Sequence, residues 1–68
     1  MIHVGDIVKM KDGYSASGTV IDVMERHPRA DEPKFLLIRE ALGQPHAKVL
    51  WSDHEISEVI PVTQIVRL

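Results

Sequence analysis

The sequence predicts a mainly β fold: one small domain of five short strands, curled so that the sheet closes into a barrel. Three observations lead there. Apolar and β-branched residues come in runs of four to six, the length of strands rather than of helices. Turn-forming residues separate the runs: Gly5-Asp6, Asp12-Gly13, Ser52-Asp53 and Pro61. The chain of 68 residues is the size of a single domain, taken as residues 1–68, and a sheet this small avoids open edges by closing on itself.

Taken in order, Ile7-Val8-Lys9-Met10 is the first strand, bounded by Gly5-Asp6 and Lys11-Asp12-Gly13. Tyr14 to Gly18 forms a loop. Thr19-Val20-Ile21-Asp22-Val23-Met24 is the clearest strand; strict alternation places Val20 on one face and Thr19, Ile21 and Val23 on the other. Residues from about 25 to 46 make a long loop or insertion, polar at first and carrying Pro28 and Pro33. Within it, residues 34–42 fit two descriptions. Phe35-Leu36-Leu37-Ile38 reads as a buried strand. The same stretch reads as a short helix, with Asp31 as its cap, Pro33 in its first turn and Gly43 at its end; Phe35, Ile38 and Leu42 then share a face.

Ala47-Lys48-Val49-Leu50-Trp51 and Ile56-Ser57-Glu58-Val59-Ile60 form a hairpin across Ser52-Asp53-His54-Glu55, with Ile56 and Ile60 on the face that also holds Glu58. Pro61 stops the pairing. Pro61 to Gln64 suits one turn of 3₁₀-helix, and Ile65-Val66-Arg67-Leu68 is the last strand.

Composition narrows the function classes. Eight Lys and Arg against ten Asp and Glu give a net charge of −2, without the basic excess of a general nucleic-acid binder. The absence of cysteine excludes disulfides and cysteine-based zinc sites. No apolar run approaches the roughly 20 residues of a membrane span, and Asp6 follows the start closely, so the expectation is a soluble, cytoplasmic protein with no membrane association. A core of this size supplies no more than about 3–5 kcal/mol of net stability.

Several segments carry a family likeness. Gly5-Asp6-Ile7-Val8 opens the way many small barrels do, and Gly13 with Gly18-Thr19-Val20-Ile21-Asp22-Val23 has the glycine and strand spacing of a KOW motif. The pattern resembles the SH3-like barrel superfamily, including its Tudor-like and KOW-type modules. Val49-Leu50-Trp51-Ser52-Asp53, followed by Pro61-Val62-Thr63-Gln64-Ile65, is similar to small uncharacterised proteins encoded by bacteriophages. The resemblance covers most of the chain outside residues 25–46. It implies a five-stranded SH3-like barrel, a binding role rather than catalysis, and a place in the host cytoplasm or the virion if the chain is phage-encoded.

The residues that could carry function are few. Tyr14 lies in the first loop, where SH3-like barrels bind, and is expected to be exposed. Trp51 has two readings: a core residue at the end of an apolar strand, or a surface anchor of the kind common at interface hot spots. His54, within Asp53-His54-Glu55, is the most ligand-like histidine, although neighbouring strand residues point to opposite faces and converge poorly on a metal. Lys11, with Lys9, Lys48, Arg26 and Arg29, could form a basic patch. No serine elbow, phosphate loop or cysteine nucleophile is present, so no catalytic residue, metal ligand or cofactor is assigned. The leading expectation is a non-enzymatic protein-binding or structural module with a protein partner or a second copy of itself. A KOW-like nucleic-acid-binding module is the second reading, and a small metal protein or enzyme using His54 the third.

Overall fold

The computed structural model describes residues 1–29, 43–53 and 55–68. Five strands form one antiparallel sheet: β1 (Ile7–Met10), β2 (Ser17–Met24), β3 (His46–Trp51), β4 (Ser57–Pro61) and β5 (Ile65–Arg67). Their spatial order is β4-β3-β2-β1-β5. A 3₁₀ turn, Val62–Gln64, joins β4 to β5, the two edge strands of the sheet. The mainly β prediction therefore holds, with five strands, and the 3₁₀ turn falls where Pro61 placed it. Several boundaries differ: β2 begins two residues earlier, β3 begins one residue earlier at His46, β4 begins at Ser57, leaving Ile56 outside it and 77% exposed, and β5 ends at Arg67. The expectation that Pro61 stops the pairing is corrected too: Pro61 is the last residue of β4 and pairs with His46 at the sheet edge. The helix-or-strand alternatives for residues 34–42 lie outside the described residues. Among the described residues, no helix is long and apolar enough to cross a membrane.

Strand alternation builds the core. Val8 from β1, Ala47, Val49 and Trp51 from β3, Ile60 from β4 and Ile65 from β5 all turn to one face of the sheet, joined there by Val20 from β2. Ile2, Met10, Tyr14 and Val62 pack around this cluster. On the opposite face Ile7 and Leu50 stay substantially exposed, as period-two patterning requires of a half-buried sheet.

β2 breaks strict alternation. Val20 pairs with Val49, but the next pair is Asp22 with Lys48, so Ile21 is the extra residue of a β-bulge. Beyond the bulge Val23 pairs with Ala47. Since Ala47 and Val49 share a face, so do Val23 and Val20. This corrects the expectation that Val23 points with Thr19 and Ile21: one inserted residue shifts the parity of everything after it.

Gly18 leaves room for two side chains of β3 to pack over β2. A Cβ built at this position would lie 2.5 Å from Cγ1 of Val49, 2.8 Å from Cε3 of Trp51 and 3.2 Å from the Leu50 carbonyl oxygen. The space a side chain would occupy is filled by the two core residues of β3. Backbone hydrogen bonds close the remaining seams. Lys11 N–H donates to Gln64 O at 2.9 Å, Val62 N–H to Pro45 O at 3.0 Å and Leu68 N–H to Ile7 O at 2.8 Å.

Candidate binding site

The site grows from the Asp12-Gly13 turn. Tyr14 N–H donates to Asp12 O at 2.9 Å, with Gly13 at φ +77° between them. This is a tight three-residue turn in a conformation that side-chain-bearing residues avoid. It redirects the chain immediately after β1 and carries Tyr14 back over the end of the core.

Tyr14 meets Trp51 there. The ring centroids are 5.3 Å apart and the planes cross at 89°, an edge-to-face arrangement suited to the quadrupoles of the two rings. The Tyr14 hydroxyl donates to the Asp53 carboxylate, lying 2.7 Å from each oxygen. Asp53 comes from the β3–β4 connection, so this bond ties the first loop to a hairpin 39 residues further along the chain. The negative charge of Asp53 disfavours phenolate formation. The hydrogen bond to that carboxylate is the main cause, partial burial and the nearby charges of Asp53 and Glu58 add to it, and the Tyr14 pKa is pushed up to about 12.

The pair walls an open hollow of about 250 Å³, lined by Met10, Tyr14, Trp51, Glu58 and Ile60. Strand register explains Glu58. It pairs with Val49, and so lies on the core face two residues before Ile60. It remains exposed because that face opens at the hollow's mouth. A second hollow, of about 510 Å³, is lined by Asp53, Glu55, Ile56 and Glu58, sharing Glu58 with the first. This end of the domain is therefore apolar at its floor and acidic at its rim. A third hollow, of about 600 Å³, lies toward the His46 end of β3 and is lined in part by Ile2, Val23, Met24, Pro45 and Val62.

Of the four residues singled out from the sequence, the fold brings together two, Tyr14 and Trp51. Trp51 is 2% exposed, which decides for the core reading over the surface anchor. Tyr14 is half-buried rather than fully exposed, because the Gly13 turn lays it against Trp51. Lys11 is exposed, and its backbone is held by Gln64, but its side chain does not line the hollow. His54 lies outside the described residues. Among those described, no three His, Asp or Glu side chains are grouped to hold a metal ion.

Sequence reasoning assigned neither Met10 nor Glu58 to a binding site, and raised Asp53 only beside His54 as a metal-ligand cluster, not as the partner of Tyr14. The available signal was Glu58, an acid at a core-face position of a strand. A separate feature also escaped it: His46 is 2% exposed, its Nδ1 lies 2.7 Å from Gln44 O, and its ring stacks edge-to-face with His27 at 5.3 Å. The His27 Nδ1 in turn accepts Arg29 N–H at 3.0 Å. Together these bonds organise the chain on either side of residues 30–42. No protein-family model, no curated protein and no solved structure matches this chain.

Proposed function

We propose that this domain is a non-enzymatic binding module of the SH3-like barrel type, and that a partner protein docks on the hollow beneath Tyr14 and Trp51. The observation that carries the reading is the Tyr14–Asp53 bond laid across the Tyr14–Trp51 ring pair. It holds an aromatic wall in place before any partner arrives, and preorganisation of that kind lowers the entropic cost of binding. The barrel assignment is supported by the chain path. The edge strands β4 and β5 follow one another through a turn of only three residues, on a sheet whose buried apolar residues form a single cluster.

Binding to protein is favoured over binding to nucleic acid because the net charge is −2, Glu58 lines the hollow, and Asp53 and Glu55 line the adjoining one. Carboxylates there repel phosphate, and phosphate contacts supply most non-specific nucleic-acid affinity. The test is selection from a displayed random-peptide library, with binding sites mapped by amide chemical shifts. Selected peptides are expected to perturb Met10, Tyr14, Trp51 and Ile60, and to lose binding to a folded Tyr14→Ala variant. Peptides that map elsewhere, or that bind Tyr14→Ala undiminished, would overturn the reading.

A further inference from the structure

We infer that the outer face of the sheet is a second docking surface, and that its occupant is an amphipathic helix of a partner protein whose apolar stripe is flanked by carboxylates. This face lies opposite the core and shares no residue with the hollow. Strand register lays it out. Ile7 of β1 pairs with Thr19 of β2, and Thr19 with Leu50 of β3. Continuing the pairing of β5 with β1 brings Leu68 opposite Ile7, where its N–H donates to the Ile7 carbonyl oxygen at 2.8 Å. Residues opposed in this way share a face, so Leu68, Ile7, Thr19 and Leu50 form one row across the strands. Leu68 is 68% exposed, Ile7 46% and Leu50 40%, so the apolar row is open to water.

Two lysines bracket the row. β1 and β3 both run antiparallel to β2, hence parallel to each other. Lys9 lies two residues beyond Ile7 and Lys48 two residues before Leu50, so they fall on opposite sides of the row, and period-two alternation turns both outward. Both are exposed, and among the described residues neither takes an ion pair. Of the strand residues on this face only Asp22 is acidic; it opposes Lys48 and accepts Val23 N–H at 2.9 Å. The backbone of the inner strands is already engaged by neighbouring strands, so a partner lying on the face must satisfy its own backbone groups, as a helix does. Strands lie about 4.8 Å apart and a helix advances about 5.4 Å per turn, so a helix laid along the row sets roughly one apolar side chain against each strand. Carboxylates on its flanks then meet Lys9 on one side and Lys48 on the other. Stacking a second copy of this face would set one lysine flank against another, with only Asp22 to offset them. An anionic bilayer would have to repel and desolvate Asp22 to reach the apolar row.

The experiment titrates the full chain with two synthetic helical peptides that share a leucine stripe, one flanked on both sides by glutamate and the other by lysine. The glutamate-flanked helix is expected to shift the amides of Ile7, Lys9, Thr19, Lys48 and Leu50 and to leave those of Tyr14 and Ile60 in place. The lysine-flanked helix should shift neither set. The net charge of −2 works against an acidic peptide, so its preference reports local rather than overall charge. Lys9→Gln and Lys48→Gln should each weaken binding roughly two- to fivefold, the range of a solvent-exposed ion pair. Ile7→Thr, which keeps a β-branched side chain at an exposed strand position, should weaken it as well without lowering the melting temperature appreciably. Equal binding of the two helices would overturn the inference, and so would unchanged affinity in both lysine variants. Shifts confined to Tyr14 and Ile60, or no shifts at all, would remove the surface and leave the hollow untouched as a docking site. Sedimentation with phosphatidylserine vesicles that Lys9→Gln and Ile7→Thr abolish, without binding of the glutamate-flanked helix, would overturn it in favour of a membrane.

Discussion

Gly18→Ala places one methyl group against two buried side chains of β3. The new Cβ would sit 2.5 Å from Cγ1 of Val49 and 2.8 Å from Cε3 of Trp51. Carbon atoms are at their best separation at about 3.5–4.0 Å, so both contacts overlap by roughly an ångström. Neither neighbour can give way easily: Val49 is 0% exposed and Trp51 2%, and both are held among other core side chains. Forcing a methyl group into a filled core costs about 1–3 kcal/mol. The reduced freedom of the unfolded chain returns about 0.4–1 kcal/mol. The net loss is about 1–2 kcal/mol, a large share of the roughly 3–5 kcal/mol expected for a domain this small. At about 4–8 °C per kcal/mol, the thermal midpoint should fall by roughly 5–15 °C. Thermal melts followed by far-UV circular dichroism measure this directly. A Gly18→Ala variant that melts at the wild-type temperature would refute the packing of Val49 and Trp51 against Gly18.

Trp51→Ala removes the largest buried side chain and costs about 3–5 kcal/mol, so the variant should be largely unfolded at room temperature; a cooperative melt from a folded state would sink the core role of Trp51. Gly13→Ala meets no neighbour within 4 Å, yet φ there is +77°, so it should lower stability by about 1–2 kcal/mol through backbone strain alone, seen as a lower melting point without any change in core packing. Tyr14 is the sole tyrosine, so absorbance titration reports it alone, and its ionisation should be displaced from the ordinary 10.0 to about 12. Because the folded-state value is raised, the stability Tyr14 contributes is complete below pH 10.0 and is lost as pH rises toward 12. Asp53→Asn removes the carboxylate that accepts the Tyr14 hydrogen bond, the main cause of the shift, together with its charge, and should return the midpoint toward the ordinary value; an unmoved midpoint would refute the Tyr14–Asp53 bond.

The strands were legible because each obeys a local rule. Val8 and Met10, or Ala47, Val49 and Trp51, alternate inward without exception, and Asp12-Gly13 and Pro61 mark their own turns. The bulge at Ile21 was not legible, since an inserted residue in a β-branched run leaves the composition of the strand unchanged and appears only in its pairing with β3. The close approach at Gly18 was hidden for a similar reason: a glycine opening a strand looks the same whether it ends a loop or admits a neighbour. Tyr14 and Trp51 could each be picked out alone, but their meeting depends on the direction the Gly13 turn imposes. Asp53 was read with its neighbours His54 and Glu55 because its partner Tyr14 lies in another loop, far away in sequence.

The pairing of β5 with β1 has a consequence for how the chain acquires its shape. β1 is flanked on one side by β2, close in sequence, and on the other by β5, with Val8 opposite Arg67 and Met10 opposite Ile65. The second neighbour thus leaves the ribosome more than fifty residues after β1. Until it arrives, one edge of β1 is bare, and Ile65 is missing from the core. The closing step joins segments more than fifty residues apart, and ladders of such long reach form slowly, because the intervening chain must be ordered before they give any return. Synthesis therefore leaves a window in which a nearly complete sheet presents an unpaired strand. Emergence of Ile65–Arg67 sets the moment at which that window closes.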